Sequence, residues 1–399
     1  MKRPIYLDYM ATTPVDENVI AKMNLVLGKE GVFGNPASNT HSFGFEAQEL
    51  VERARQQVAT AIEADPREII WTSGATEANN LAIQGTALFY ERQGRHIITM
   101  STEHKSVLDP CRYLSHRGFE VTYLDPEPNG ILDLNKLIAA IRSDTILISI
   151  MYVNNETGVI QDIPAIGAIA EKHGIKFHVD AVQGFGKAPI NVNRFKVDLM
   201  SLSGHKVYGP KGIGVLYVRR YPRARLQPLV YGGGHEQGLR SGTLPTHQIV
   251  GMGAAFELAN KLYAEEVKRI SELSSRLWQG IQKLGSVTLN GDPTQRIPHC
   301  LNVTFAGVDG EALLVSLRDI AVSMGSACNS AKPEPSHVLT AYGLSSAEAH
   351  SSLRFSLGRY TTEQEIDQTI QHISEAVEKL RKISPVWEKV QNTISKQIK

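Results

Sequence analysis

Three features of this 399-residue chain predict an α/β fold, with a mainly parallel central sheet flanked by helices and a smaller α+β C-terminal unit. Over residues 68–218, short apolar runs rich in β-branched residues alternate with helical patterns, the rhythm of strands joined by crossover helices. A helical pattern then runs over 246–284, long enough to link two lobes. Beyond it, further strand patterns and one last amphipathic helix supply the second unit.

Taken in order, a helix with apolar Ala47, Leu50, Ala54, Val58 and Ala61 precedes the sheet and covers one face. The strand patterns follow at 68–72, 96–100, 120–124, 145–152, 175–180, 197–202 and 214–218. Past Gly232-Gly233-Gly234 and the long helix, the second unit has strands at 286–290, 301–305 and 353–357. Its last helix opens on the capping box Thr362-Glu363-Gln364-Glu365 and repeats Ile366, Ile370, Ile373, Val377 and Leu380 on one face. The expected division is a large domain over 16–262 and a small one from 1–15 plus 263–399. A Ser/Gly/Asn/Pro-rich stretch, 323–337, reads as a mobile loop within the small domain.

Composition narrows the function. Lys plus Arg total 42 and Asp plus Glu 41, so no net field draws the chain onto nucleic acid or an anionic membrane. Apolar runs such as 145–153 fall short of the roughly 20 residues of a membrane span. Met1-Lys2-Arg3-Pro4 leads into a strand rather than a secretory signal, so a cytoplasmic protein with no direct nucleic-acid or membrane partner is expected. Cys111, Cys300 and Cys328 are odd in number, far apart and without a CxxC pair, which argues against a disulfide framework and a structural metal site. A functional cysteine here would act as a thiol.

Lys206, in Ser203-Gly204-His205-Lys206, follows one strand pattern, and Asp180 closes another. Such a pair at neighbouring strand ends suits pyridoxal 5'-phosphate (PLP): the amine holds the aldehyde and the carboxylate keeps the pyridine nitrogen protonated. Taken alone, the pair is more often a solvated surface feature. The strand 68–72 runs into Ser73-Gly74-Ala75-Thr76, a turn into a helix whose free amides and dipole suit a phosphate, with the Thr76 hydroxyl as a further donor. A plain helix cap is the commoner meaning; position at a C-terminal strand end favours the phosphate.

His104, after 96–100, could stack on a pyridine face and exchange protons. Asn155 and Gln183 also follow strand patterns and offer side-chain amides to a ring oxygen or a substrate carboxylate. Arg354 inside 353–357 needs an anion, either a bidentate carboxylate ligand or a structural ion-pair partner. Cys328 stands among Gly325, Ser326, Ala327 and Asn329, small neighbours that leave a thiol exposed; an incidental surface cysteine fits that local sequence equally well. Cys111 and Cys300 read as structural. The glycines of Tyr208-Gly209-Pro210-Lys211-Gly212 precede a strand instead of opening a helix, so they are turn formers and not a dinucleotide loop.

Thr72-Ser73-Gly74-Ala75-Thr76-Glu77, His178-Val179-Asp180-Ala181-Val182-Gln183, Ser203-Gly204-His205-Lys206, Arg240-Ser241-Gly242-Thr243 and Gly325-Ser326-Ala327-Cys328 occur in that order, with further matches at 6–14, 34–38, 102–104, 154–158 and 354–358. Together they resemble the fold-type I PLP enzymes of the class V aminotransferase family, and within them the cysteine desulfurases of the NifS/IscS group, on the IscS-like branch. The resemblance implies that Lys206 carries PLP, Asp180 faces the pyridine nitrogen, His104 stacks on the ring as acid/base and Gln183 meets the ring hydroxyl. It further implies phosphate binding by Ala75, Thr76, Ser203 and His205, with Thr243 supplied by the second subunit of a homodimer.

Asn155, beside the cofactor, and Arg354 would grip the carboxylate of free L-cysteine, and Cys328 would accept its sulfur as a persulfide while L-alanine forms. The implied destinations are an iron-sulfur scaffold protein and other acceptors, including those of tRNA thiolation, with Cys328 touching a nascent iron-sulfur cluster only transiently. Gln237 stands where arginine is usual in the group, Asn329 where threonine is common, and Met10 is larger than the usual residue; the chain also ends at Lys399 without the longer tail of some relatives. Rival readings are an aminotransferase or selenocysteine lyase with an incidental Cys328, and a catalytically silent scaffold.

Overall fold

The computed structural model describes residues 3–324, 334–385, 387 and 388. Its strands, in chain order, are β1 (Ile5–Tyr6), β2 (Ile69–Thr72), β3 (His96–Met100), β4 (Glu120–Leu124), β5 (Thr145–Met151), β6 (Lys176–Asp180), β7 (Leu199–Ser203), β8 (Gly214–Val218), β9 (Val287–Leu289), β10 (Cys300–Phe305), β11 (Ile320–Ala321) and β12 (Ser352–Ser356). The uninterrupted apolar runs become β2, β3, β5, β7 and β8, buried at every residue, as a sheet covered on both faces requires.

The central sheet has the order β2-β8-β7-β6-β5-β3-β4. β4, β3, β5, β6 and β7 run parallel, while β8 is antiparallel to both of its neighbours. The reversal follows from chain length: the connection from Ser203 to Gly214 is too short for a crossover helix, so the chain turns back beside the strand it has just left. β8 starts at Gly214 because only hydrogen fits there; a Cβ would stand 2.6 Å from the backbone carbonyl carbon of Gly74. Gly74 has φ +156°, a conformation that favours glycine. The turn after β2 is thereby packed against the start of β8, beside the end of β7.

The largest core lies on this sheet, where Trp71, Ile98, Ile148, Phe177 and Met200 pack with Val51, Ala54 and Val58 of the helix Ser42–Ile62. A second core joins Leu301, Val303, Phe305, Leu353 and Phe355 to Ile366, Ile373 and Val377 of the helix Glu363–Lys382. Both draw on the helix Thr246–Gln282, which gives Ile249, Met252 and Phe256 to the first and Ile270, Leu273 and Leu277 to the second. The second core rests on an antiparallel sheet ordered β12-β10-β9. β1 pairs in parallel with β11, and the Met10 amide donates to Ser356 Oγ at 2.9 Å, so the chain start is laced onto the C-terminal part.

The capping box forms as its spacing predicts: Thr362 Oγ1 accepts from the Glu365 amide and Glu365 Oε2 accepts from the Thr362 amide. The loop expected over 323–337 is too long at both described edges. Ser323 exchanges backbone hydrogen bonds with Arg354, and His337 opens the helix His337–Ala341, capped by Ser336. The hydroxyl of Ser336 was a start signal hidden in a polar stretch. Residues 325–333, Cys328 and Asn329 among them, lie outside the described residues. No helix among the described residues is long and apolar enough to cross a membrane.

Candidate active site

Because β6 pairs with β7, Asp180 at the end of β6 stands next to the short turn Gly204–Lys206 that follows β7. Here, at the C-terminal strand ends, a cavity of about 620 Å³ is lined by Ala75, Thr76, His104, Asn155, Asp180, Gln183, Ser203, His205, Lys206 and Arg354. Nearly every expected site residue meets in this one space, whose size suits a cofactor together with a small substrate. Thr243, an exposed residue, is not among those that line it.

Lys206 Nζ donates to the carbonyls of Met10 and Ala11, each at 2.7 Å. Burial, then the nearby Arg354 guanidinium, push its pKa down to about 8, so a useful fraction of the amine is neutral and nucleophilic near neutral pH. Asp180 is held through neutral donors. Its Oδ1 accepts from the Val182 amide at 3.1 Å and its Oδ2 from Asn79 Nδ2 at 2.8 Å. Asn79 Nδ2 also donates to Ser106 Oγ at 2.8 Å, and that hydroxyl lies 2.8 Å from His104 Nδ1.

The Ser106 amide donates to the same Nδ1 at 3.1 Å, which makes Nδ1 an acceptor and puts the proton of the neutral ring on Nε2. Desolvation lowers the pKa of His104, with Asp180 opposing and Lys206 adding to the effect. His205 is pressed down to about 4 by burial and then by Lys206, so it is a neutral imidazole, with Thr12 Oγ1 3.0 Å from its Nδ1. Asn79 is the residue that sequence reading missed. Its only signal is an amide among apolar neighbours, Ala78, Leu81 and Ala82, one turn into a helix.

The helix Ala75–Tyr90 starts after Gly74 without a side-chain cap among the described residues. The plain-cap alternative therefore has no capping side chain behind it, and the first-turn amides and helix dipole remain directed at the cavity end. The Ser73 amide instead donates to Glu77 Oε2 at 2.8 Å, and Glu77 is paired with Arg240 at 2.7 Å. On the far wall, Arg354 donates to the Asn155 carbonyl at 2.8 Å and to Asp8 Oδ1 at 2.7 Å. The structural ion pair thus exists, and it leaves capacity over: among the described residues, Arg354 Nε and Asn155 Oδ1 are buried without hydrogen-bond partners.

The donor set fits PLP: an uncapped helix start for phosphate, a carboxylate and an amine on adjacent strand ends, and a neutral imidazole lining the same cavity. Cys111 and Cys300 are fully buried free thiols, the first pushed up to about 12 by burial and the second also raised, in keeping with structural roles. Among the described residues no group of three or more potential ligands could hold a metal ion.

The aminotransferase class-V family model matches residues 5–369. A protein of Pectobacterium atrosepticum named cysteine desulfurase IscS is 60% identical over 388 residues, covering 97% of this chain and 96% of that one. A solved structure titled NifS-like protein superposes with a TM-score of 0.88 at 37% identity, covering 94% of this chain and 100% of the other. Another, titled SspA in complex with cysteine, gives 0.81 at 42% identity over 90% of this chain and 100% of its own.

Replacing Asn79 by Leu keeps the branched shape but strips Asp180 Oδ2 and Ser106 Oγ of their donor; apoprotein stability in urea is expected to fall by about 1–3 kcal/mol. An unchanged unfolding midpoint would mean that Asp180 does not depend on that amide. The depressed pKa of Lys206 sets a second expectation, since an amine reacts only when deprotonated. The rate at which apoprotein condenses with PLP should rise with pH to half its maximum at about 8, and a midpoint at the ordinary lysine value of 10.5 would contradict the electrostatics described for Lys206.

Proposed function

The chain belongs to the aminotransferase class-V family, and from that membership we propose a PLP-dependent cysteine desulfurase that converts L-cysteine to L-alanine and loads the sulfur on Cys328. The observation that carries this reading is the meeting of Lys206, Asp180 and the partly unpartnered Arg354 and Asn155 in one cavity. PLP, when bound, supplies an electron sink for negative charge at the substrate Cα.

In this reading Lys206 Nζ holds the cofactor, Asp180 faces its pyridine nitrogen, and Asn79 fixes Asp180 against rotation. His104 covers the ring and Gln183 meets its hydroxyl. Ala75, Thr76, Ser203 and His205 take the phosphate, and the partner subunit's Thr243 completes the cradle in a homodimer. The exposure of Thr243, which is not among the residues lining its own chain's cavity, supports that assignment.

Arg354, with its Nε still unused among the described residues, would take the incoming carboxylate, with the Asn155 amide beside it. The Lys206 amine would be the base that takes the Cα proton. The Cys328 thiolate then attacks the substrate sulfur. An S–S bond forms, the substrate Cβ–S bond breaks, and its electron pair stays with the carbon fragment, which is protonated to alanine. The balance is L-cysteine plus enzyme thiol giving L-alanine plus enzyme persulfide. We further propose that the persulfide supplies an iron-sulfur scaffold protein, with tRNA thiolation as a second outlet, in the cytoplasm.

A Cys328→Ser variant tests the route. The cofactor's visible absorbance should persist while alanine and sulfide formation from L-cysteine falls at least about 100-fold, the scale on which a removed reacting group is felt. Undiminished turnover would favour an aminotransferase-like or lyase reaction in which the thiol plays no part.

A further inference from the structure

Lys187 is an anomaly in the fold. It is 7% exposed, lies in the turn after β6, and among the described residues has no carboxylate within ion-pair distance. Its Nζ donates to Gln183 Oε1 at 2.9 Å and approaches the carbonyl of Lys206 at 3.5 Å. A buried lysine facing only neutral acceptors is costly to keep charged. The groups around it offer little compensation: Lys206 and Arg354 are cationic, Cys300 and His299 are buried and neutral, and Glu266 and Arg359, paired with each other, border the small void behind Lys187 and Lys206. Burial first and Lys206 second lower its pKa to about 7.

Resting on the reading of this cavity as a PLP site, we propose that Lys187 is a positioning residue: by binding Gln183 Oε1 from behind, it fixes the amide so that an N–H is presented to the cofactor's ring oxygen. Gln183 Nε2 donates one hydrogen to the Met10 carbonyl at 2.8 Å, the same carbonyl that accepts from Lys206 Nζ at 2.7 Å. The carboxamide is therefore tied at both ends, and its second N–H is left on the cavity side. Without Lys187 the buried oxygen has no donor, the Met10 carbonyl alone holds the amide, and the second N–H is no longer fixed toward the ring oxygen.

Less donation to that oxygen stabilises the protonated form of the bound chromophore. The pH midpoint of the resting holoenzyme's visible absorbance should accordingly rise in Lys187→Met by about half a unit or more. Lys187→Gln, which keeps a donor without the charge, should hold the wild-type midpoint. A fold defect alone would not produce this pattern. If Lys187→Met fails to fold, Lys187→Gln decides alone: a wild-type midpoint supports the positioning role and a displaced one overturns it. Equal midpoints in wild type and Lys187→Met also overturn it. A wild-type protein that takes up no PLP would remove the function proposed above and this inference with it, whereas equal midpoints leave that function standing.

Discussion

The site depends on keeping two opposite charges apart. Asp180 and Lys206 end up on adjacent strand ends, yet each is satisfied by neutral partners: Asp180 by the Asn79 amide and the Val182 N–H, Lys206 by the carbonyls of Met10 and Ala11. A direct ion pair would hold the amine charged and the carboxylate occupied, leaving neither for a ligand. The backbone that prevents this is supplied from afar. Met10 is brought in by the N-terminal segment, itself fastened by β1 to β11 and by its amide to Ser356.

Perturbed titrations spread outward from this pair. His205 is kept neutral and His104 is lowered, while the buried carboxyl of Glu156, bonded to Ser336 at the edge of the described C-terminal part, is raised to about 7 by burial. Glu103, the residue before His104, is raised as well by burial. His104 and His205 line the cavity, and the two buried carboxyls belong to the residues next to His104 and Asn155 in the chain; displaced titrations of this kind gather at functional sites.

Much of this was legible in the sequence because it is local. Apolar runs gave strand positions to within about two residues, and the capping box marked the start of the last helix. Strand-end residues such as His104, Asp180 and Lys206 had to share one sheet edge once the sheet was parallel. What escaped notice is non-local. Asn79 looks like any helical amide until β6 lies beneath it, and Asp8 meets Arg354 across 346 residues of chain. Lys187 reads as a surface lysine, since nothing nearby in sequence announces that the turn after β6 is buried. β11 spans only two residues and pairs with the chain start, a contact no periodicity encodes. Ala47 and Val58 are buried on one face of their helix, as their spacing predicts, and the buried residues of that helix also include Arg55, paired with Glu236 from the glycine-rich segment.

The central claim, that Lys206 is the amine answering Asp180, is tested most directly by reducing the PLP-loaded protein with borohydride and mapping the modified peptide by mass spectrometry. A pyridoxyl adduct on Lys206 and on no other lysine is the predicted result. An adduct on Lys187 or Lys211, or no covalent adduct in protein that retains the cofactor, would contradict the account.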